Sequence, residues 1–209
     1  MMPVMYKSTE SSECFDMRVT REQMQANRTR ILDAAGWLFR EKGFDAVSVA
    51  EVMKAAGLTH GGFYGHFESK DDLIAQAIAH IFSGGLQGPD DLNAYLDAYL
   101  SPLHRDSVAK GCPTAALIAD VRRQTPAARL AMTAGFRSQI DRIASAIAET
   151  KSPNARRAAI GAWASLVGAL VLARTVDDPT LSGEILEETR NWIGGKTGLS
   201  RGGEPAVAT

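Results

Sequence analysis

The stretch Ser48–Leu73, SVAEVMKAAGLTHGGFYGHFESKDDL, decides the fold of this chain. It predicts two short helices joined by a tight turn and followed at once by the start of a third. Ser48 should cap the first helix, Gly57 should end it, and Thr59 should cap the second. The second helix mixes histidine and tyrosine with glycine, which is unusual for a helix that only packs in a core. This pattern is typical of a helix-turn-helix whose second helix enters the DNA major groove.

The residues before this stretch complete a head of three helices. From Thr20, apolar residues recur at helical spacing until Gly43 ends the pattern. A polar extension over residues 1–19 is expected to be disordered, and the DNA-binding domain is expected to cover residues 20–69.

The remainder of the chain predicts helices and no strand. The fold class is therefore all-α, an N-terminal three-helix helix-turn-helix head plus a C-terminal ligand-binding and dimerisation bundle, with about nine helices in total. The bundle should cover residues 70–194, and residues 195–209 should form a flexible tail. Helices are expected at 70–82, around 92–100 with Pro89 in the first turn, at 113–124, 126–150, 152–176 and 181–193.

Composition narrows the function only slightly. The 209 residues carry a net charge of −1, and residues 18–70 hold eight Lys/Arg against six Asp/Glu, so charge alone is weak evidence for DNA binding. The spacing of Cys14 and Cys112 suggests neither a zinc site nor a disulfide framework. No apolar run approaches the roughly 20 residues of a membrane span, and no signal peptide is recognisable. We expect a cytoplasmic protein without metal or cofactor.

Candidate DNA contacts follow from the predicted helix-turn-helix. Three glycines in the second helix favour close approach of backbone to phosphate. The candidates for base edges are Thr59 and His60, those for phosphates are Ser48, Tyr64, His66 and Lys70, and the backbone candidate is Gly61 with Gly62 and Gly65. Arg28 and Arg30 would flank the DNA, although a solvated helix face explains them equally well.

The segment Asn27–Ile78 resembles the TetR/AcrR family of bacterial transcriptional regulators. The resemblance rests on the register of Gly43-Phe44, Ser48-Val49, Ala56-Gly57, Phe63-Tyr64 and His66-Phe67 through Lys70. It implies a homodimer whose last two long helices pack against their twins, a small-molecule pocket in each C-terminal domain, and a DNA operator as partner. The chain departs from the family pattern with His-Gly-Gly at 60–62 and with glycine at position 65.

Two sets of residues are candidates in the C-terminal half. The ligand pocket would be lined by Phe82, Tyr95, Tyr99, Cys112, Met132, Phe136 and Trp163, although such residues at helical spacing also serve as plain core. Small residues in the helix from Pro153 suit a dimer seam, with packing inside the chain as the alternative. The dimer candidates are Gly161, Ser165, Gly168, Leu172 and Trp192.

Cys112 leaves the mode of regulation open. Its position before Pro113, at a helix start, would favour a reactive thiol, whereas a free cysteine is also commonly a buried residue lining a pocket. The expected function is a repressor released from a near-palindromic operator by a small molecule. The alternatives are an activator, a thiol or electrophile sensor acting through Cys112, and a small helical enzyme that pairs Cys112 with His104.

Overall fold

The computed structural model describes residues 20–84, 91–147 and 154–197. The predicted extension at 1–19, Cys14, Pro89 and the segment 198–209 lie outside the described residues. Within the described ranges every regular element is a helix, nine α-helices with two short 3₁₀ helices at His60–Gly65 and Val108–Lys110. The α-helices are α1 Arg21–Lys42, α2 Val49–Ala55, α3 Lys70–Ser83, α4 Leu92–Tyr99, α5 Pro102–Asp106, α6 Pro113–Val121, α7 Pro126–Ile147, α8 Ala155–Thr175 and α9 Pro179–Thr197.

Local capping chemistry sets the helix starts in the head. The hydroxyl of Thr20 accepts the backbone N–H of Gln23 at 3.1 Å, and the hydroxyl of Ser48 accepts that of Glu51 at 3.1 Å. Ser69 caps α3 in the same way. These caps confirm the predicted starts of α1, α2 and α3.

Several predicted boundaries are wrong by a few residues. The helix predicted to run to Gln124 ends at Val121, and α9 runs from Pro179 to Thr197 instead of from 181 to 193. The predicted tail therefore loses its first three residues to a helix. Thr59 occupies the N-cap position of the 3₁₀ helix, but its side chain makes no capping hydrogen bond.

The apolar core of the head continues into the bundle. Phe39, Phe63 and Phe67 of the head belong to the same buried cluster as Leu117 of α6 and Met132 of α7. The helix α3 makes this continuity possible because its buried residues contact the head on one side and the bundle on the other. No break in packing marks the predicted boundary at residue 69.

Two glycines let α3 fit closely between its neighbours. A Cβ at Gly135 of α7 would overlap the ring of Phe82, and a Cβ at Gly36 of α1 would lie 3.0 Å from Ile81. The end of α3 is therefore in close contact with both α1 and α7. A shift of α3 along its axis has to move both contacts together.

A second buried cluster occupies the far part of the bundle and joins α4, α8 and α9. Leu166 and Leu170 of α8 are fully buried there, with Ile193 of α9. Arg190 of α9 is buried as well, and its Nε donates to Asp97 of α4 at 2.7 Å. This partly buried ion pair joins α9 to α4.

Candidate nucleic-acid interface and regulatory core

The 3₁₀ helix His60–Gly65 presents the surface predicted to meet DNA. Phe63 is buried beneath it and stacks on Phe67 with the ring centroids 5.6 Å apart, which holds the turn on the head. Tyr64 points outward with 74% of its surface exposed, and Thr59 and His60 are also exposed. The polar and aromatic side chains that could reach a nucleic acid therefore lie on one outer face.

Neither backbone conformation nor close packing within the chain requires glycine in this turn. Positive φ values among the described glycines occur at Gly43 and Gly57, not within the turn. A Cβ at Gly61 or Gly65 would meet no atom of the chain within 4 Å. Alanine would fit both positions, so no contact within the described chain requires glycine there.

Arg28 has a different position from the one expected. Its guanidinium donates to the carbonyl of His66 and to the side chain of Gln76, and it lies 4.6 Å above the ring of Phe67. These contacts join α1, the 3₁₀ helix and α3. Arg28 thus holds parts of the head together, and its role as a flanking DNA contact stays a prediction.

The remaining predicted contacts lie around the same surface. Ser48 is exposed at the start of α2, and Lys70 is half-buried at the start of α3. His66 is half-buried, and burial together with the neighbouring charge of Arg28 lowers the pKa of its imidazole. His66 therefore offers a neutral ring at neutral pH.

The predicted ligand-pocket residues divide between the two buried clusters, and their role in binding a ligand stays a prediction. Phe82, Met132 and Phe136 pack into the cluster shared with the head. The other members pack into the second cluster, and these are Tyr95, Tyr99, Cys112 and Trp163. In the first cluster α3 packs against α1 and α7, whereas in the second cluster Tyr99 of α4 contacts Trp163 of α8.

The second cluster contains a polar interior around Tyr99. Its ring contacts Trp163 and His104 edge-on, at centroid distances of 5.9 and 4.6 Å. Burial raises the pKa of Tyr99 well above its ordinary value, and the neighbouring Cys112 adds to this rise. Burial likewise raises the pKa of Tyr95 to about 12.

Five buried polar atoms of this part of the chain make no hydrogen bond within the described residues. They are the hydroxyl oxygens of Tyr95, Tyr99 and Thr114, the amide oxygen of Gln139 and one terminal nitrogen of Arg174. Buried polar atoms are almost always paired in folded proteins, because leaving one unpaired costs about 1–3 kcal/mol. Buried water or a polar ligand would supply the partners that these atoms lack.

Three side chains fix the segment that joins α5 to α6. Arg40 of α1 donates from Nε to the carbonyl of Ala109 at 2.6 Å, while Arg174 of α8 donates to the carbonyls of His104 and Arg105 at 2.9 Å each. His104 accepts the backbone N–H of Cys112 at its Nε2 atom, 2.9 Å away. Sequence reasoning missed both arginines, although the lack of an acidic residue three or four positions from Arg40 is a detectable signal.

The geometry at His104 does not suit nucleophilic catalysis. Its Nδ1 lies 2.7 Å from the carbonyl oxygen of Tyr99, so Nδ1 carries the proton and Nε2 is the acceptor for Cys112 N–H. Both ring nitrogens are engaged with backbone, and the thiol of Cys112 is fully buried. No group of three or more possible metal ligands occurs in the described parts of the chain.

The outer face of α8 carries the predicted dimer residues. Gly161 and Leu172 are exposed, Ser165 and Gly168 are half-buried, and Trp192 of α9 is 53% exposed. Ala162 and Leu166, which continue the same pattern, pack inside the chain. The small-residue stripe is therefore divided between an inner face and an outer face.

By length and composition α8 also meets the criteria for a membrane span, contrary to expectation. Its 21 residues have a mean hydropathy of 1.5 over the best window, of which 44% is buried within the protein. A core helix of a soluble protein meets the same criteria, so this evidence is weak.

Two family models match the chain. The model of bacterial regulatory proteins of the tetR family matches residues 31–77, and that of the tetracyclin repressor-like C-terminal domain matches residues 88–188. The transcriptional regulator AcrR of Shigella flexneri is 42% identical over 59 residues, 28% of this chain and 27% of AcrR. An uncharacterized HTH-type transcriptional regulator of Mycobacterium tuberculosis H37Rv is 27% identical over 185 residues, 81% of this chain and 95% of that protein.

Solved structures give the same fold. The reduced form of NemR from Escherichia coli has a TM-score of 0.67 and 22% identity, covering 81% of this chain and 95% of NemR. A TetR transcriptional regulator of Chloroflexus aurantiacus has a TM-score of 0.62 and 26% identity, covering 82% of this chain and 96% of that one.

The pKa of His104 predicts how stability depends on pH. Burial lowers this pKa below its ordinary value near 6.5. The unfolded chain therefore binds a proton first as the pH falls, and the free energy of unfolding should decrease below about pH 6.5 until the folded imidazole also titrates. Urea denaturation at several pH values should show this decrease in the wild type and a shallower one in His104→Gln. An equally steep decrease in the variant would contradict the assignment, and His66→Gln measures the parallel contribution of the other imidazole.

Proposed function

Because this chain belongs to the TetR family and is a DNA-binding transcriptional regulator, we propose that it is a repressor released from its operator by a small molecule. The single observation that carries the DNA-binding part is the open face of the 3₁₀ helix, with bare backbone at Gly61 and Gly65 beside an outward Tyr64. As a dimer, the protein would present two such faces about 34 Å apart to successive major grooves of a near-palindromic site.

In this proposal the DNA backbone approaches the glycines closely. Thr59 and His60 meet base edges, while Ser48, Tyr64, His66 and Lys70 lie against phosphates. Arg28 acts from behind the surface, since its bonds to His66 and Gln76 place the 3₁₀ helix relative to α3. The small basic excess of the head means that affinity depends on a few well-placed contacts more than on bulk charge.

The effector would enter the interior around Tyr99. The buried hydroxyls of Tyr95 and Tyr99, which lie near Arg142 and the Cys112 thiol, and the free terminal nitrogen of Arg174 support this choice, because a polar ligand would supply further hydrogen-bond partners. Trp163 and Tyr99 would contribute the apolar contact area. The ligand therefore needs hydrogen-bonding oxygen or nitrogen atoms together with a flat apolar part.

The segment around Ala109 and the helix α3 are the proposed route from this interior to the head. Arg174 binds the start of the 104–112 segment from the core side, and Arg40 of α1 binds its middle from the head side. A ligand that changes the hydrogen bonds of Arg174 would thus act on a segment that contacts the head directly. The required coupling is about 1–3 kcal/mol, which lowers operator affinity by one or two orders of magnitude.

The outer face of α8 would form the dimer interface with α9. Gly161 and Gly168 have open space where a Cβ would stand, which allows a second helix to approach closely. A groove of about 500 Å³ between α8 and α9 is lined by Gly161 and Trp192, among other residues. A second copy of this face would cover the apolar surface of α8, as expected for a cytoplasmic protein. A role as an enzyme is not part of the proposal, because His104 and Cys112 lack catalytic geometry.

Footprinting on the DNA upstream of the gene for this protein and its neighbours tests the proposal. We expect protection of a near-palindromic site. Gly61→Ala and Gly65→Ala should weaken operator binding by about ten-fold, since one blocked backbone–phosphate hydrogen bond is worth about 1–3 kcal/mol. The same changes should leave the free energy of unfolding unchanged or raise it by roughly 0.5–1 kcal/mol.

The matched control for these variants is Gly195→Ala, where a Cβ likewise meets no atom within 4 Å. It should leave operator affinity unchanged. Wild-type affinity in both Gly61→Ala and Gly65→Ala would contradict close approach of DNA to this turn, and the absence of any footprint would contradict the function.

Leu172→Glu tests the proposed dimer. This side chain is 56% exposed on the outer face of α8, so a buried carboxylate at the seam should raise the dimer dissociation constant by at least about ten-fold. Sedimentation equilibrium provides the measurement. The control is Leu103→Glu, at a residue that is 79% exposed on α5, and it should leave the mass unchanged. Equal masses for the wild type and Leu172→Glu would exclude this seam.

A second proposed mode of release from the operator is covalent modification of the Cys112 thiol by an electrophile. The guanidinium groups of Arg40 and Arg174 both lie close enough to this thiol to interact with it electrostatically. In this mode the sulfur adds to the β-carbon of an unsaturated carbonyl compound, and a proton goes to the α-carbon. Because the thiol is fully buried, the 104–112 segment has to open before reaction, which would also disturb the bond from Arg40.

N-ethylmaleimide treatment distinguishes this mode from reversible release. The thiol mode predicts that mass spectrometry finds an adduct on Cys112 and that the treated wild type loses operator binding. Cys112→Ser should keep its operator affinity under the same treatment, whereas Cys14→Ser should lose it as the wild type does. Operator release without an adduct on Cys112 would exclude the thiol mode.

A further inference from the structure

A cleft of about 350 Å³ lies between α1, the end of α3 and the 108–111 segment. It is separate from the proposed effector interior and from the proposed DNA surface. Its charged and polar lining is formed by Asp33, Arg40, His80 and Lys110, and its aromatic wall by Trp37. The volume is at the lower end of the range for small-molecule sites, about 300–1,000 Å³.

Arg40 is the unusual group in this cleft. Its Nε donates to the carbonyl of Ala109 at 2.6 Å, which leaves the two terminal nitrogens for other partners. No carboxylate among the described residues forms an ion pair with it. Burial lowers the pKa of Arg40, so the folded chain holds this cation at a cost that a bound anion would offset.

The other charged groups of the cleft do not neutralise the charge of Arg40. Asp33 is the acid in the lining, and its carboxylate lies 2.7 Å from Nε2 of His80, not against Arg40. Lys110 is exposed at the rim and adds a second positive charge. The lining thus holds two cations, Arg40 and Lys110, against the single carboxylate of Asp33, so the local field favours an anion.

Trp37 defines the second requirement of the site. Its indole is 43% exposed although it stands on the wall of a cleft, three residues before Arg40 on the same helix. Gly36 and Gly111 line the cleft without side chains of their own. A flat ring can therefore lie against the indole, which is a favourable aromatic contact of about 0.5–1.5 kcal/mol.

We propose that this cleft binds a small aromatic carboxylate. The carboxylate accepts hydrogen bonds from the terminal nitrogens of Arg40, with Lys110 as a second cation, and the ring lies against Trp37. An aliphatic carboxylate would leave the indole uncovered, and a neutral aromatic compound would leave Arg40 without its anion. The site therefore selects for both features in one molecule.

The position of the site would allow a bound ligand to affect how the head is held against the bundle. Arg40 and Trp37 belong to α1 of the head, whereas Lys110 and Gly111 belong to the bundle. A ligand held by both would fasten the head against the bundle. Binding itself does not depend on operator recognition, so this inference can fail while the proposed function holds, and the reverse is also true.

Titration of the full chain with benzoate, followed through its tryptophan indole N–H resonances, tests the inference. Trp37 reports on the cleft and Trp163 on the buried core, and each resonance is assigned with a Trp→Phe variant. We expect benzoate to shift the resonance of Trp37. Acetate, benzyl alcohol and inorganic phosphate should each bind at least about ten-fold more weakly than benzoate, because each lacks one of the two contacts.

Variants decide whether Arg40 carries the binding. Arg40→Gln should weaken benzoate binding by about ten-fold or more, as expected for the loss of a charge-assisted hydrogen bond. Lys110→Gln should weaken it by a smaller factor, and it tests the site even if Arg40→Gln fails to fold. Arg137→Gln, at an exposed arginine on α7, is the control and should bind as the wild type does.

Three results would overturn the proposal. One is a resonance of Trp37 that does not move with benzoate while that of Trp163 does, which places the ligand in the core. Another is equal binding of phosphate and benzoate, which reduces the cleft to a general anion site. The third is wild-type binding in both Lys110→Gln and a folded Arg40→Gln.

Discussion

The simultaneous packing of α3 against the head and the bundle is the constraint on which the rest of the structure depends. Phe82 lies on the bare backbone of Gly135 at one side, and Ile81 lies close to Gly36 at the other. Core packing is dense and resists small displacements. An event in the bundle that moves α7 therefore reaches α1 through the same short stretch of helix, without any flexible linker between the two parts.

Within the head, a second constraint comes from the hydrogen bonds of one arginine. Arg28 joins α1 to the carbonyl of His66 and to Gln76 of α3. The 3₁₀ helix is only six residues long and contains three glycines, so its own hydrogen bonds hold it weakly. Its orientation is set by contacts with the rest of the head, namely the hydrogen bond from this guanidinium and the packing of its own buried Phe63 on Phe67. The packed helices of the head thus hold a 3₁₀ helix whose outer surface has few side chains, because three of its six residues are glycine.

Local chemistry made the head predictable, and long-range contacts limited the prediction. Thr20, Ser48 and Ser69 act as caps because capping requires only residues three positions away, and Gly57 has the positive φ of 70° that a helix-ending glycine suits. The partner of Arg28 lies 38 positions along the chain, and no spacing rule connects them. Periodicity also selected Phe82 and Tyr99 as apolar helix positions, but it carries no information on which core each one enters. The division of the pocket candidates between two clusters therefore had to come from the structure.

The segment from His104 to Cys112 connects the polar interior of the bundle to the head, because it is hydrogen-bonded to both α8 and α1. Two arginines from different helices, Arg40 and Arg174, bind its carbonyls from opposite sides, and both are partly buried. Burial lowers the pKa of each guanidinium, so each charge is under-compensated in the folded state. In the proposed mode of release, a ligand that supplies negative charge near either arginine would stabilise it at the expense of its bond to the segment. The segment is short and its backbone hydrogen bonds are few, so a change at one arginine shifts the carbonyls that the other one holds. Under this proposal, a charge bound in the core would change a contact on α1.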